Sequence, residues 1–208
     1  MTSESTPSES SGGFVSRAGA KLEAALTAFN IDVAGLACAD LGCSTGGFTD
    51  CLIQRQAARV YAVDTAYGEL AWKLRQHPNV ITLERQNALH LDPNGPHHRP
   101  KTAKLFDDFQ GVHLVTIDLG WTKLNKALPA ALQWLRHDQP TTIIPLIKPH
   151  YESGQHQLSD AEAQRISHDV AETLANDQIQ LKDLIPSPVR GGKGNNLEFL
   201  AHLAINPS

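Results

Sequence analysis

Long hydrophobic runs are missing from this sequence of 208 residues. No stretch approaches the roughly 18 apolar residues that a membrane-spanning helix needs. Apart from Met1, the first dozen residues are Ser, Thr, Glu, Pro and Gly, so the sequence also lacks the hydrophobic segment of a secretory signal. We therefore expect a cytoplasmic protein with no membrane partner.

Cysteine is scarce, with three residues in the whole chain. Cys38, Cys43 and Cys51 lie within one predicted strand-turn-helix unit and lack the paired spacing of metal ligands, which favours reduced thiols in the core. A loop predicted at residues 90–100 contains three histidines, but no carboxylate or cysteine stands at a convincing spacing from them. We expect no metal site.

A large excess of charge of one sign is also absent, because the formal net charge is -4. This balance gives no general attraction to nucleic acid, although it does not exclude a local basic patch. A chain of 208 residues with 41% hydrophobic residues suits one domain with a substantial core. The polar residues 1–13 predict a disordered tail, so the expected domain covers residues 14–208.

The sequence does contain a glycine-rich turn, at residues 39–50, between a predicted strand and a predicted helix. Glycine allows a backbone to approach a ligand closely, and the start of a helix offers unpaired N–H groups to an anionic group. The Gly-x-Gly-x-x-Gly fingerprint of dehydrogenases is not met, because Ser44 stands where its second glycine belongs. An ordinary turn of another α/β protein is one interpretation. The turn also resembles the first motif of methyltransferases that use S-adenosylmethionine (SAM), which has an acid followed by glycines, here Asp40, Gly42, Gly46 and Gly47.

Strands and helices alternate along the rest of the sequence, as hydrophobic periodicity and turn residues indicate. Strands are predicted at residues 35–39, 59–64, 80–84, 112–118 and 141–147, with a closing hairpin of strands at 179–185 and 197–205. Helices are predicted at residues 16–30 with Ser16 as cap, 48–57, 68–77, 124–137 with a kink or late start at Pro129, and 159–175. This order predicts a Rossmann-like α/β methyltransferase fold, with a mostly parallel seven-stranded sheet, an antiparallel hairpin strand at one edge and helices on both faces.

Polar side chains stand where the predicted parallel strands end, which is the edge at which such sheets bind ligands. Asp64 lies about twenty residues beyond the glycine turn, where nucleotide-binding α/β folds place a carboxylate for ribose hydroxyls. Lys148 ends a buried strand, and because an unpaired buried ammonium is costly it needs Asp118 or Glu198 as a partner. Asn87, after the third strand, is a candidate either to bond adenine or to cap a turn.

Motifs from residue 15 almost to the end of the chain resemble, in the same order, those of FtsJ-like ribosomal RNA methyltransferases, in the branch named for the TlyA hemolysin. They are VSRAGAKL at 15–22, the turn at 40–50, YAVD at 61–64, LR at 74–75, LERQNA at 83–88, ID at 117–118, LIKP at 146–149, SP at 187–188 and GN at 194–195 running into EFL at 198–200. The combination is far more specific than any of its parts. Proteins of this branch usually begin with a small RNA-binding domain, and we expect this chain to lack it.

The resemblance implies methylation of a 2′-hydroxyl of RNA, with SAM as cofactor and ribosomal RNA or a ribosomal subunit as partner. The catalytic residues that it implies are Lys21, Asp118, Lys148 and Glu198. A free lysine is mostly protonated at neutral pH, so the hypothesis that Lys148 receives the hydroxyl proton requires burial and Lys21 to lower its pKa. Asp118 and Glu198 would hold the two ammonium groups in place.

By the same resemblance, Gly46 and Phe48 would line the methionine and ribose part of SAM. Asp64 would bind ribose hydroxyls, and Asn87 would meet adenine. Asp118 would reach both the cofactor and the target. The remaining cofactor-binding candidates belong to the turn itself and are Asp40, Gly42, Ser44 and Gly47.

Two short stretches beside the proposed target pocket depart from the family pattern. Residues 118–122 are DLGWT rather than DVSFI, and residues 149–152 are PHYE rather than PQFE. Trp121 or Tyr151 is a candidate to stack on a flipped base, or is a wall or core aromatic. Another acceptor, a noncatalytic RNA-binding role and an accessory RNA-binding partner all stay open. Candidate phosphate contacts, which are equally solvated loop charges, are Arg190 and Lys193.

Overall fold

The computed structural model describes residues 13–95, 104–191 and 195–206. Our predictions for the tail at residues 1–12, for Lys193, and for His97 and His98, two of the three histidines in the loop predicted at residues 90–100, lie outside these described residues. One seven-stranded sheet carries the fold. Its strands are β1 (Ala37–Leu41), β2 (Arg59–Asp64), β3 (Val80–Glu84), β4 (Leu114–Ile117), β5 (Thr141–Ile147), β6 (Ile179–Pro186) and β7 (Phe199–Ile205).

The strands lie in the order β3-β2-β1-β4-β5-β7-β6. The first five run parallel to one another. β7 is antiparallel to both β5 and β6, so the closing hairpin extends one edge of the sheet, as predicted, with β7 inserted between β5 and β6. Ile147 pairs with Phe199, which places the beginning of β7 at the carboxyl end of β5.

Helices cover both faces of this sheet. α1 (Ala18–Ala28), α2 (Gly47–Gln54) and α3 (Trp72–Arg75) pack on one face. α4 (Leu124–Leu132) and α6 (Asp160–Leu174) pack on the other, whereas the short α5 (Pro149–Ser153) follows directly after β5. The parallel strands are apolar on both sides because both sides are covered. The Rossmann-like prediction is therefore confirmed.

Two helices differ from their predicted bounds at the side of the glycine turn. α1 begins at Ala18 without a side-chain cap, because the hydroxyl of Ser16 lies against Gly47 instead of the helix start. The helix predicted at residues 68–77 is reduced to α3. The amide of Ala71 donates to the carbonyl of Thr45, so the chain before α3 is tied to the turn and cannot wind into a helix.

The helices on the other face are closer to prediction. α4 starts at Leu124, whose amide donates to Glu152 Oε1 at 2.8 Å, and it accommodates Pro129 without a late start. It ends well before residue 137, because the carbonyl of Trp134 accepts the amide of Val112 at 2.7 Å and the chain turns there. α6 begins with the predicted cap at Ser159.

Asp40 joins the elements beneath the glycine turn. It lies in β1 with no exposed surface, and its carboxylate accepts hydrogen bonds from Thr49 Oγ1 at 2.7 Å and Thr116 Oγ1 at 3.0 Å. Burial raises the pKa of Asp40 to about 6, and the two hydroxyl bonds oppose that rise. Ionised Asp40 therefore reduces the stability of the fold at neutral pH.

We predict that Asp40→Asn removes a pH-dependent loss of stability. Between about pH 4 and pH 6, Asp40 is protonated in the folded protein and ionised in the unfolded chain, so stability falls as pH rises through this window. The unfolding free energy of the variant relative to wild type should rise by about 2 to 3 kcal/mol from about pH 4 to pH 7.5, measured by urea unfolding. The exposed control Asp177→Asn should show no comparable change. A pH-independent difference for Asp40→Asn would contradict the raised pKa.

Candidate active site

The glycine turn leaves the carboxyl end of β1 and presses against the end of β4. Gly42 has φ +94°, and a Cβ atom there would lie 2.5 Å from the carbonyl oxygen of Asp118. The amides of Gly42 and Cys43 both donate to the carbonyl of Val63, at 2.9 and 3.0 Å. A residue with a side chain at position 42 would force β1 and β4 apart, so this turn requires glycine there.

Asp64, at the end of β2, fixes the other side of the turn. Its Oδ2 accepts the amide of Ser44 at 2.7 Å, and its Oδ1 accepts the amide of Ala66 at 2.8 Å. A carboxylate oxygen can accept more than one hydrogen bond, so both oxygens keep capacity for a ligand. Asp64 therefore shapes the turn and remains a candidate to bind hydroxyl groups.

A cavity of about 450 Å³ lies above the turn, and we call it the turn cavity. The structure brings together in its walls five of the predicted cofactor residues, namely Gly42, Ser44, Asp64, Asn87 and Asp118. The Oδ1 atom of Asn87 accepts the amide of Leu89 at 3.0 Å, so this side chain does cap a turn. Its Nδ2 donor is not used in that turn and is a candidate to meet a ligand.

Four other predicted cofactor residues do not line the turn cavity. The side chain of Phe48 is buried between α1 and the sheet, because the start of α2 directs it into the core. Asp40 is likewise buried, in β1, and its carboxylate bonds two threonine hydroxyls. Gly46 packs beneath Leu74, and Gly47 packs against Ser16, so these glycines shape the turn.

The four predicted catalytic side chains meet in a second cavity of about 390 Å³, the tetrad cavity. Lys148 Nζ lies 2.5 Å from Asp118 Oδ1, and Lys21 Nζ lies 2.5 Å from Glu198 Oε2. All four side chains are at most 20% exposed. Asp118 and Lys148 also line the turn cavity, so the two cavities meet at this ion pair.

The charge state of Lys148 differs from the prediction. Burial lowers the pKa of Lys148, but the charge and hydrogen bond of Asp118 and the charge of Glu198 outweigh it, so the pKa lies above its ordinary value. Lys21, which was expected to lower this pKa, is itself paired with Glu198. Lys148 is therefore an ammonium group at neutral pH in the described chain.

One wall of the tetrad cavity is aromatic. Trp121 is 81% exposed, adopts φ +60° and stacks on Tyr151 with ring centroids 4.8 Å apart. The ring centroid of Tyr151 is in turn 4.1 Å from that of His150. Trp121 and Tyr151 were predicted from the sequence to lie beside the target pocket, whereas His150 and His156, which line the same cavity, were not. The available signal was the PHYE stretch, where His150 stands in place of glutamine.

Several other predicted features are resolved. Cys38, Cys43 and Cys51 are free and buried, and burial raises the pKa of all three thiols, that of Cys38 to about 12, which confirms reduced core thiols.

Arg190 is paired with Asp160, with nitrogen-oxygen distances of 3.0 and 2.7 Å, instead of lining the tetrad cavity. The described ranges contain no cluster of three histidine, cysteine or acidic residues fit to hold a metal ion. Nor does any helix in them have the length and apolarity to cross a membrane.

We predict that Asp118→Asn lowers the pKa of Lys148, because burial then opposes the ammonium form with one fewer carboxylate nearby. Competitive acetylation at increasing pH, with peptide mass analysis, should show Lys148 reacting at a lower pH than in wild type. The exposed Lys126 is the internal control and should react identically in both proteins. An unchanged profile for Lys148 would show that Asp118 does not determine its charge.

Comparison with known proteins agrees with this geometry. The sequence profile of FtsJ-like methyltransferases matches residues 14–201. The 16S/23S rRNA (cytidine-2'-O)-methyltransferase TlyA of Mycobacterium tuberculosis is 43% identical over 150 residues, which cover 72% of this chain and 51% of that protein. This chain therefore spans about half the length of that relative. Hemolysin A of Brachyspira hyodysenteriae is 31% identical over 199 residues, covering 92% of this chain and 77% of that protein.

A solved structure of a similar protein also resembles this chain. A candidate hemolysin from Streptococcus thermophilus superimposes with a TM-score of 0.79 at 34% identity, covering 94% of this chain and 68% of that one. Both the profile and these relatives extend over most of the described sheet and its helices. The chain therefore belongs to the family of FtsJ-like methyltransferases, in the branch of the TlyA and hemolysin proteins.

Proposed function

We propose that this chain transfers a methyl group from SAM to a ribose 2′-hydroxyl of ribosomal RNA. The observation that carries the proposal is the junction of the turn cavity and the tetrad cavity at Asp118 and Lys148. Transfer between two bound molecules needs two adjoining sites that hold the reacting atoms in one geometry. The relatives named rRNA (cytidine-2'-O)-methyltransferases support this class of reaction.

The walls of the turn cavity fit SAM chemically. Asp64 offers carboxylate oxygens to the two ribose hydroxyls, Asn87 offers an amide donor to adenine, and Leu89 supplies an apolar surface. Gly42 leaves the backbone bare where the cofactor would approach. When bound, SAM supplies the methyl group on a positively charged sulfur.

Lys148 and Asp118 act as one unit in the proposed reaction. Transfer of a proton from Nζ to Oδ1, which are 2.5 Å apart, leaves a neutral amine without moving charge into solvent. The amine would then accept the proton of the 2′-hydroxyl while the methyl group passes to the ribose oxygen, with the carbon–sulfur bond of SAM breaking to leave a neutral thioether. The pair afterwards releases its extra proton to solvent. Lys21, held by Glu198, stabilises negative charge that develops on the oxygen.

The aromatic wall of the tetrad cavity supports RNA as the acceptor. Trp121, exposed and stacked on Tyr151, offers a flat face to a base that has left its helix. The formal net charge of -4 provides no general attraction to RNA. We therefore expect the ribosomal subunit, or an accessory RNA-binding partner, to contribute to recognition.

Asp64→Ala should weaken SAM binding about 10- to 100-fold, because a hydrogen bond to a charged group contributes about 1.5 to 3 kcal/mol. Lys148→Ala should change SAM affinity by less than about 3-fold, since Lys148 only borders the turn cavity and its ammonium offers no favourable contact to a positively charged sulfur. Isothermal titration calorimetry with SAM measures both. Asp92→Ala is the matched control, because it removes an exposed carboxylate that does not line the turn cavity and, among the described residues, accepts the amide of Asn94 in its own loop. Equal losses in the Asp64 and Lys148 variants would contradict the division of roles.

Lys148→Ala should reduce methyl transfer by about 10²- to 10⁴-fold, the usual contribution of a positioned proton acceptor. Labelled SAM is incubated with both ribosomal subunits and with protein-free ribosomal RNA, and nuclease digestion with mass analysis identifies the methylated nucleoside. Wild type should yield a 2′-O-methyl nucleoside, and the exposed control Lys126→Ala should match it.

Two outcomes would count against this proposal. A base-methylated nucleoside would overturn the ribose hydroxyl as acceptor. SAM binding without any labelled RNA would overturn RNA as the substrate class while leaving the cofactor site intact.

A further inference from the structure

His150 lines the tetrad cavity, and the proposed methyl transfer does not use it. It lies in α5, two residues after Lys148, and the centroid of its ring is 4.1 Å from that of Tyr151. Tyr151 is itself stacked on Trp121, so His150 stands at one end of a row of three neighbouring rings. The side chain is therefore positioned, although nothing so far gives it a role.

The two ring nitrogens of His150 have different surroundings. Nδ1 is buried and has no hydrogen-bond partner among the described residues. A buried N–H without a partner is rarer in proteins than a buried acceptor without one, so Nδ1 is the nitrogen that carries the lone pair. The proton of the neutral ring is then on Nε2, the other polar atom with which the residue can meet a ligand in the cavity.

The same burial opposes a second proton. Protonation at Nδ1 would create a buried N–H with no acceptor, and it would add a positive charge next to Lys148. Burial lowers the pKa of His150, Glu198 opposes that shift, and the charges of Lys148 and His156 reinforce it. Lys21 also lines this cavity, and the ring of Tyr151 lies beside the imidazole with an angle of 53° between the two ring planes. The net pKa lies below its ordinary value, so the ring is neutral at neutral pH.

We propose that His150 is a specificity-determining residue, which donates a hydrogen bond from Nε2 to a carbonyl oxygen on the base of the acceptor nucleotide. This inference rests on the proposed function, because it needs a nucleotide in the tetrad cavity. A neutral donor is suited to a base carbonyl, whereas the two lysines are suited to oxygen atoms that carry or develop negative charge. His150 also adjoins the stacked pair of Trp121 and Tyr151, where an acceptor base would lie.

The chemistry of the four bases makes the inference specific. Cytosine, uracil and guanine each carry a carbonyl oxygen, and adenine carries none. A site built around a hydrogen bond rejects a ligand that lacks the partner more strongly than it rejects a small change of shape. Adenosine at the target position should therefore be the poorest acceptor.

The first test is independent of methyl transfer. A long-range proton–nitrogen NMR spectrum of the labelled protein shows which imidazole nitrogen carries the proton. We expect His150 to be neutral at pH 7, with the proton on Nε2. A proton on Nδ1, or a doubly protonated ring at pH 7, would overturn the inference even if RNA is methylated.

The second test measures recognition of the nucleotide. RNA transcripts carry each of the four nucleotides at the position methylated by wild type, and kcat/KM is measured for each. His150→Leu should lose about 10- to 100-fold on the carbonyl-bearing acceptors and little on adenosine, which abolishes the discrimination. His150→Gln is the matched control, because its amide keeps a donor of similar reach and should retain most of the activity.

The outcomes separate this inference from the proposed function. Equal losses of His150→Leu on all four acceptors, or no loss at all, would overturn the assigned role while methyl transfer itself stands. Complete failure to methylate any RNA would overturn the proposed function and with it the nucleotide contact. The tautomer observed by NMR would be unaffected by that failure.

Discussion

Two ion pairs at the carboxyl edge of the sheet, Lys148 with Asp118 and Lys21 with Glu198, are the constraint on which the site depends. A charge removed from water is tolerated only when a partner satisfies it, and removal of that partner leaves a large unfavourable term. Lys21 and Glu198 are 177 residues apart in the sequence, so α1 and the start of β7 must be brought to one place. The pairing of β7 with β5 achieves this, because it places residue 198 beside the end of β5.

The cofactor side of the site is organised by backbone geometry more than by charge. Gly42 permits β1 and β4 to approach, and the carboxylate of Asp64 fixes the turn by accepting two amides. Asp40 supports the turn from below through two threonine hydroxyls. Its burial raises its pKa to about 6, so the protein retains a position that reduces its own stability at neutral pH. Strain and unfavourable burial of this kind often collect at functional sites.

Burial of the side chains in the tetrad cavity also determines which of them carry a charge. Asp118 and Glu198 keep Lys148 charged despite its burial, whereas the buried nitrogen of His150 has no acceptor among the described residues for a second proton, so that ring is neutral. The charged Lys148 and the neutral His150 thus lie two residues apart in the chain. The same cavity provides a stacking face through Trp121 and Tyr151. Our proposals for chemistry and for nucleotide choice therefore depend on one set of contacts.

The sequence by itself determined the strands of the sheet, the long helix α6 with its cap at Ser159, and the residue types at the strand ends, because these follow from local periodicity and turn chemistry. Only the tertiary structure decided what those residue types do. The hydroxyl of Ser16 lies against Gly47 instead of capping α1, and the side chain of Phe48 lies in the core. The helix predicted at residues 68–77 is shorter because the amide of Ala71 bonds the turn. The charge of Lys148 and the neutral state of His150 depend on partners distant in the sequence and on burial, which no local pattern contains.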